Sequence, residues 1–264
     1  MSLLVKGRHQ GRDIVSVTPQ SANWSYVGFA AYRLARGEHF SFDSGAREVC
    51  IVVLRGVVSV RAGEHRWTEI GERNSVFDDC SPYAVYVPHH HAVSINAHSE
   101  AEIAVCSAPG HGDLSARLIA PDAAKRSVRG QGGNTRHVCD ILPQSAPADH
   151  LLVVEVVTPG GHSSSYPPHK HDSDNLPQES LLEETYYHRL NPPQGFAFQR
   201  VYTDDRSLDQ AMAVENHDVV MVPRGYHPVV APHGYDSYYL NVMAGPRREW
   251  HFRNDPAHEW ILQR

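Results

Sequence analysis

Two histidines separated by one residue stand in the segment YPPHKHD, at positions 169 and 171. Alternate residues of a β-strand face the same side, so His169 and His171 can both point inward while Lys170 points outward. Neutral imidazole nitrogens and a carboxylate together bind divalent transition metals, and such a ligand set can leave one position open for a substrate. The spacing therefore predicts part of a metal site on a strand.

The remaining ligands can come from two later β-prone segments. A carboxylate stands at the head of EETYYHRL, where Glu183 and Glu184 are adjacent. A further histidine follows in VMVPRGYH, which offers His227, with His233 as the weaker alternative. The chain has 19 histidines, so an isolated pair would mean little. A pair followed by Glu and then His on β-prone segments is a much stronger signal.

The elements that must position these side chains are short strands. The segment 48–60 (EVCIVVLRGVVSV) is rich in β-branched residues and breaks at Arg55-Gly56, which is typical of a hairpin. Similar runs separated by Pro, Gly and Asp recur along both halves, and convincing amphipathic helices are scarce. Many short strands with turn residues at close intervals predict β-sandwiches or barrels.

An internal similarity indicates a duplicated domain. The segment DVVMVP at 218–223 resembles YAVYVP at 83–88, about half the chain earlier. A repeat at such a long period favours two related domains over a solenoid. We expect an N-terminal domain at residues 1–125 and a C-terminal domain at 126–264. The Gly-, Ser- and Arg-rich stretch 107–144 should form a connector with little structure of its own.

Composition excludes several classes of protein. No run of about 18 apolar residues exists that could span a membrane, and the N-terminus lacks a secretory apolar region. The four cysteines lie far apart, which favours a reduced, cytoplasmic protein over a disulfide scaffold. The net charge of −6 provides no electrostatic footprint for nucleic acid. We expect neither a membrane nor a nucleic-acid partner.

The motifs resemble the cupin superfamily, whose two motifs run HxH…E…G and PxG…H. The matching residues here are His169, His171, Glu184, Gly195, Pro223, Gly225 and His227. The resemblance implies an all-β fold, a duplicated cupin or bicupin, with His169, His171, Glu184 and His227 as metal ligands. It favours Glu184 over Glu183. The gap before the glutamate is longer than usual, so we expect residues 172–180 to form a mobile loop that acts as a lid.

The chain also resembles a narrower family. The segments YPPHKHD, LEETYYHRL, GFAFQRVYTDDRSLD, DVVMVPRGYHPV and GYDSYYLNVMAGP are similar to the 5-deoxy-glucuronate isomerase family of myo-inositol catabolism. Its relatives include the 4-deoxy-threo-hexosulose-uronate ketol-isomerases. The resemblance implies an aldose–ketose isomerase that converts 5-deoxy-glucuronate to 5-dehydro-2-deoxy-gluconate with a divalent metal (Zn, Mn, Fe, Co or Ni). It also implies a uronate-type sugar acid as substrate and a homo-oligomer.

Candidate catalytic residues follow from strand parity. Tyr186 shares the face of Glu184, and either Gln199 or Arg200 lines the barrel from the next strand. Candidate substrate-binding residues are Lys170, Arg200, Arg224 and Tyr239; the guanidinium and ammonium groups could hold a carboxylate.

The first half has no His-x-His at the corresponding place. Glu48 and the run His89–His91 remain, but they fall short of a ligand set, so we expect a metal-free barrel. Two rival functions are an Fe(II) dioxygenase and a non-catalytic sugar-binding or regulatory cupin. No helix-turn-helix pattern or basic stripe supports a regulator.

Overall fold

The computed structural model describes residues 2–263, whose regular secondary structure consists almost entirely of antiparallel strands. The strands of the first half are β1 (Leu4–Val5), β2 (Asp13–Val17), β3 (Gly28–Leu34), β4 (His39–Asp43), β5 (Arg47–Arg55), β6 (Val58–Ala62), β7 (His65–Ile70), β8 (Ala84–Val87), β9 (Ala92–Ala97), β10 (Ala101–Pro109) and β11 (Arg117–Ile119). A one-turn helix, α1 (Pro19–Ala22), lies between β2 and β3 and carries a capping box at Thr18.

The second half continues in the same way. Its strands are β12 (Lys125–Arg129), β13 (Arg136–Leu142), β14 (Leu152–Thr158), β15 (Ser163–Ser164), β16 (His169–Lys170), β17 (Asp172–Asn175), β18 (Glu179–Leu181), β19 (Glu183–Asn191), β20 (Phe196–Tyr202), β21 (Asp209–Glu215), β22 (Val219–Val222), β23 (Val229–Val230), β24 (Asp236–Ala244) and β25 (Arg253–Asn254). Short 3₁₀ turns cover Gly132–Asn134 and Glu259–Gln263. No helix among residues 2–263 has the length and apolar character needed to cross a membrane.

Two sandwiches of matching topology form the molecule. In the first, a sheet ordered β11-β8-β5-β10-β3-β2 faces a sheet ordered β4-β9-β6-β7. In the second, a sheet ordered β1-β22-β19-β24-β14-β13-β12 faces one ordered β15-β23-β20-β21. The run β8-β5-β10-β3-β2 of the first large sheet corresponds strand by strand to β22-β19-β24-β14-β13 of the second. The prediction of an all-β, duplicated cupin is confirmed.

Register makes the correspondence residue-specific. Val49 pairs with Val87 at the end of β8, and Glu184 pairs with Val222 at the end of β22. The predicted equivalence of the two Val-Pro strands therefore places an apolar Val49 in the first barrel where the second carries Glu184. This substitution explains why the first barrel interior is a packed core rather than a site.

Three apolar clusters hold the fold together. One fills the first barrel, around Ile51 and Ile95, and another fills the second, around Val220 and Tyr239. The largest contains residues of both halves, including Phe29, Tyr187 and Tyr238. Because neighbours along a strand face opposite sides, Tyr187 and Tyr238 pack between the halves while Tyr186 and Tyr239 face the second barrel's interior.

Two glutamates form matching contacts between the halves. Glu48 on β5 accepts hydrogen bonds of 2.6–2.7 Å from the backbone N–H groups of residues 149–151, just before β14. Glu183, at the corresponding position of β19, accepts bonds of 2.7–2.9 Å from residues 25–27, just before β3. Since β3 corresponds to β14, each half holds the other by the same three-bond carboxylate contact. Glu183 is therefore structural.

Three expectations need correction. The stretch 107–144 contains the end of β10 and all of β11, β12 and β13, which extend the two large sheets. Residues 172–180 form the hairpin β17–β18, with Glu179 and Ser180 buried, instead of a mobile loop. Leu4–Val5 pairs with Val219–Val220, so the first strand of the chain belongs to the second barrel's sheet.

Candidate metal centre

Three buried side chains converge inside the second barrel. The ligand atoms of His171, Glu184 and His227 all lie within 4.8 Å of one another. Glu184 Oε2 is 3.0 Å from His171 Nε2 and 3.2 Å from His227 Nε2. Among residues 2–263 no other group of three His, Cys, Asp or Glu side chains has this geometry. Two imidazoles and one carboxylate around a common point are a typical set for a divalent transition metal.

Glu184 is fixed by the strands on both sides of it. It lies on β19 between β22 and β24, where it pairs with Val222 and Met243. Its Oε1 accepts a hydrogen bond from the amide Nδ2 of Asn241 on β24. This bond fixes the carboxylate and leaves Oε2 directed at the histidines.

Backbone carbonyls orient both imidazoles. His171 Nδ1 lies 3.1 Å from the carbonyl of Leu182, and His227 Nδ1 lies 2.8 Å from that of Gly225. Because a carbonyl only accepts, each Nδ1 carries a proton, and each Nε2 is the nitrogen that faces the centre. Gly225 has φ of 92°, and a Cβ there would lie 2.5 Å from the Tyr202 carbonyl, so only glycine forms this turn.

The surroundings of the nitrogens fit a cation. His227 Nε2 is buried and has no hydrogen-bond partner. Burial lowers the pKa of His227 to about 3, although the Glu184 charge opposes this effect. Burial also acts to lower the pKa of His171, but its hydrogen bond to Glu184 and that carboxylate's charge raise the pKa overall. A neutral lone pair beside a carboxylate, with no donor facing it, suits a metal ion.

His169 lies beside the three residues without joining their tight cluster. Its ring centroid is 4.8 Å from that of His227 and 6.3 Å from that of His171. Burial, followed by the positive charges of His171 and Arg136, lowers the pKa of His169 to about 3. Its place as a fourth ligand stays a prediction.

A cavity of about 580 Å³ opens onto the cluster. Glu184 and His169 line it, together with the hydroxyl-bearing side chains of Ser165, Tyr186 and Tyr239. Tyr186 Oη lies 2.9 Å from Ser165 Oγ, and Tyr239 Oη lies 3.5 Å from the same atom. The volume is typical of pockets for small molecules. Tyr186 therefore lies on the face of Glu184, as its strand parity predicts, and Tyr239 lines the same cavity.

Gln199 points into the barrel but lies behind the site. Its Oε1 is 2.9 Å from His188 Nε2, and its Nε2 donates to the His227 carbonyl at 3.4 Å. It is buried and does not line the cavity. Gln199 therefore supports the backbone of a ligand and does not reach a substrate.

Three cations expected to bind substrate lie elsewhere. Arg200 shares the outward face of β20 with Phe198 and pairs with Asp209 at 2.6 Å. Arg224 is exposed and lies 3.4 Å from Ser207 Oγ. The Lys170 ammonium is buried between Asp172 and Glu179. None lines the cavity, which corrects the expectation that Lys170, Arg200 and Arg224 hold the substrate, and that Arg200 takes part in catalysis.

Two arginines that line the cavity were not predicted. Arg129 ends β12 and Arg136 begins β13, on either side of a Gly-rich turn. Both lie in the stretch interpreted as a connector. The signal was present, because RGQGGNTR between two short polar runs is compatible with a hairpin.

Comparisons with known proteins show the family to which this chain belongs. The KduI/IolB family model matches residues 3–261. The 5-deoxy-glucuronate isomerase of Geobacillus kaustophilus is 53% identical, with 100% of this chain and 96% of that protein covered. The Bacillus subtilis (strain 168) protein of the same name is 52% identical over 94% of this chain and 92% of its own length.

Solved structures give the same result. An IolB-like protein from Salmonella typhimurium LT2 superposes with a TM-score of 0.98 at 52% identity, covering 99% of this chain and 100% of that one. The Lactobacillus farciminis oxalate decarboxylase shares the fold alone, with a TM-score of 0.66 at 12% identity over 96% of this chain and 88% of its own. This protein belongs to the KduI/IolB family and is an isomerase of the intramolecular oxidoreductase class, as the sequence predicted.

Proposed function

We propose that this protein converts 5-deoxy-glucuronate to 5-dehydro-2-deoxy-gluconate in a metal-dependent aldose–ketose isomerisation within myo-inositol catabolism. The observation that carries the proposal is the buried cluster of His171, Glu184 and His227 at the end of a cavity. Relatives that match almost the whole chain are named 5-deoxy-glucuronate isomerase. In this reaction the C1 aldehyde becomes an alcohol and the neighbouring C2 alcohol becomes a ketone, so atoms and electrons balance within one molecule.

The residues that would hold the ion are His171, Glu184 and His227, with His169 as a fourth ligand. A bound divalent ion (Zn, Mn, Fe, Co or Ni) would polarise the neighbouring carbonyl and hydroxyl oxygens and stabilise negative charge as it develops. Asn241 holds the second oxygen of Glu184 and so fixes the carboxylate's direction. Gln199 holds the His227 backbone in the same manner.

The hydroxyl groups around the cluster would orient the sugar. Tyr186, Tyr239 and Ser165 share hydrogen bonds on one wall of the cavity. Each hydroxyl can donate to one substrate oxygen and accept from another. Tyr186 is the one we assign to the reacting end, because its ring also lies 5.6 Å from that of His227. It would help the proton pass between oxygens of C1 and C2.

The experiment is turnover of 5-deoxy-glucuronate under nitrogen, followed by NMR and mass spectrometry. We expect product of unchanged mass, loss of activity after chelation and recovery with a divalent metal. Deuterium incorporated at C1 in heavy water would indicate proton transfer between the carbons. A requirement for oxygen, or product that has gained oxygen atoms, would establish the dioxygenase alternative instead. Full activity in metal-free protein would remove the metal from the proposal.

A further inference from the structure

Two arginines lie opposite each other at the cavity wall, and only one of them has an acidic partner among the described residues. Arg129 on β12 and Arg136 on β13 are directly opposite in the antiparallel pair. Like charges placed directly opposite are unfavourable unless an anion compensates them. Asp140 compensates Arg129, with its oxygens 3.2 and 3.3 Å from the Nη2 of that arginine. The pair therefore keeps one uncompensated positive charge.

That charge belongs to Arg136. Its Nη1 donates to the carbonyls of Asn134 at 3.1 Å and Tyr166 at 3.5 Å. Within residues 2–263 these two carbonyls are its hydrogen-bond acceptors, and no carboxylate lies within ion-pair distance of it. A half-buried guanidinium presents a planar set of donors that matches a carboxylate. The two carbonyls hold the group in place and leave Nε and Nη2 for an anion.

The position of Arg136 suits the far end of a sugar acid. Tyr166, whose carbonyl holds Arg136, precedes His169 by three residues, and both line the cavity. Three residues of extended chain span at most about 11 Å, which limits the separation of these two backbone positions. Arg136 and His169 belong to the same cavity wall.

The wall beside Arg136 is apolar. Val138, two residues further along β13, lines the cavity and pairs with Val156 on β14. Val154 completes this surface. These side chains offer no hydrogen-bond partner to a hydroxyl on the carbon next to the carboxylate, but they can pack against a methylene there.

We infer that Arg136 is the residue that selects the substrate by binding its carboxylate, with the adjacent valines contacting the deoxygenated carbon next to it. The inference rests on the proposed function and deepens it. It places the aldehyde end of the substrate at His171, Glu184 and His227. It also assigns recognition to a side chain outside the metal site.

The test compares two substrates, 5-deoxy-glucuronate and 5-deoxy-glucose, in which CH₂OH replaces the carboxylate. For Arg136→Met we expect kcat/KM on the uronate to fall at least about 30-fold, mainly through KM. The rate on the neutral sugar should change less than about threefold, since that sugar never makes the contact. Arg136→Lys should recover part of the uronate activity. Arg66→Met, an exposed arginine on β7, is the matched control and should behave as wild type.

Equal losses on both substrates would show that Arg136 only supports the fold, and unchanged uronate kinetics would show that the carboxylate binds elsewhere. If wild type turns over neither sugar, the proposed function fails. Carboxylate binding by Arg136 can then still be tested by calorimetry with adipate, a six-carbon dicarboxylate. Adipate affinity should then drop at least about tenfold in Arg136→Met but not in Arg66→Met. Equal adipate affinity in the two variants would show that Arg136 does not bind a carboxylate.

Discussion

At the scale of single residues, hydrogen bonds from surrounding groups fix the three side chains of the candidate metal site. Each histidine of the cluster donates a hydrogen bond from Nδ1 to a backbone carbonyl, and Asn241 donates one to Glu184 Oε1. Three ligand atoms therefore face one point before any ion arrives. Such preorganisation reduces the ordering cost of binding.

We predict that His171→Ala and His227→Ala each weaken metal binding more than about 100-fold, because a lost ligand costs more than a lost outer hydrogen bond. His233→Ala should keep wild-type metal content, since His233 is exposed and lies outside the cluster. Metal content after dialysis, measured by inductively coupled plasma mass spectrometry, separates the variants. Stoichiometric metal in His227→Ala would place the site elsewhere.

Strand alternation explains which of these residues a sequence can reveal. Tyr186 and Glu184 are two apart on one strand, so one correct parity places both in the cavity. On β20 the sequence leaves the parity open, so both Gln199 and Arg200 are candidates, and the structure places Arg200 on the outer face with Asp209. The hairpin that carries Arg136 is compatible with the sequence RGQGGNTR, but the role of Arg136 depends on the register of β12 with β13 and on the distant carbonyl of Tyr166.

At the scale of elements, charged groups connect the hairpin β17–β18 to the candidate metal site. Lys170 Nζ pairs with Asp172 and lies 3.2 Å from Glu179. The other oxygen of Asp172 accepts a 2.8 Å bond from the N–H of Gly225, in the turn that presents His227. The extra residues between His171 and Glu184 thus form a support for the ligands.

Lys170→Met should lower the free energy of unfolding by about 3–5 kcal/mol, because it leaves the buried Glu179 and the partly buried Asp172 without their cation. Urea denaturation measures this loss, and metal affinity should fall as well. Lys125→Met, an exposed lysine on β12, should change stability by less than about 0.5 kcal/mol. Similar stability in the two variants would mean that the hairpin folds without the ion pair.

The turn between β21 and β22 holds a histidine that stays neutral. His217 is buried, and its Nδ1 is 2.6 Å from the hydroxyl of Tyr187. Burial, and then nearby positive charges, lower its pKa to about 2. These charges are Arg189, Arg33, His9 and Arg55. Below its unfolded value of 6.5, the unfolded chain binds a proton that the folded chain rejects, so stability falls as pH falls.

We therefore expect wild-type stability to decrease with falling pH more steeply than that of His217→Asn, by up to about 1.4 kcal/mol per pH unit well below pH 6.5. Asparagine suits the site because residue 217 has φ of 77°. Denaturation curves at pH 7.5, 6.5 and 5.5 measure the difference. Parallel profiles would show that His217 takes up a proton in the folded protein.

The residue composition of each strand explains whether the sequence could predict it. β5 and β19 are rich in β-branched and aromatic residues, so their own sequences indicate strands. β12 (KRSVR) is polar and mostly exposed, and it is a strand because β13 pairs with it along its whole length. Tertiary pairing of this type is invisible to local patterns.

At the scale of the whole molecule, the repeat seen in the sequence as two Val-Pro segments is a repeat of sheets that pack back to back. The cluster containing Phe29, Tyr187 and Tyr238 fills the space between them. The first barrel lacks a site because Val49 replaces Glu184, so its contribution is the surface that covers the second barrel. Both halves therefore make the same inter-barrel glutamate contact, while only the second contains the cluster of His171, Glu184 and His227.

The reciprocal contacts of Glu48 and Glu183 give the last prediction. Each carboxylate accepts three backbone N–H groups of the other half, and Glu48 also accepts the Tyr86 hydroxyl at 2.7 Å. Glutamine would direct its amide hydrogens at some of these donors. We expect Glu48→Gln and Glu183→Gln each to lower the free energy of unfolding by about 2–3 kcal/mol.

The two losses should add, because the contacts share no partner. Glu183→Gln should keep its metal, whereas Glu184→Gln, one residue along the strand, should lose it. Glu64→Gln in the exposed β6–β7 turn provides the neutral control for the stability measurement. Calorimetry should show both halves of the double variant unfolding at lower temperature than in wild type. If the unfolding temperature of only one half falls, each barrel is stable by itself and the contacts only align the two barrels. If the unfolding temperatures of both halves fall together, the halves fold as one cooperative unit, because each closes the other's sheet.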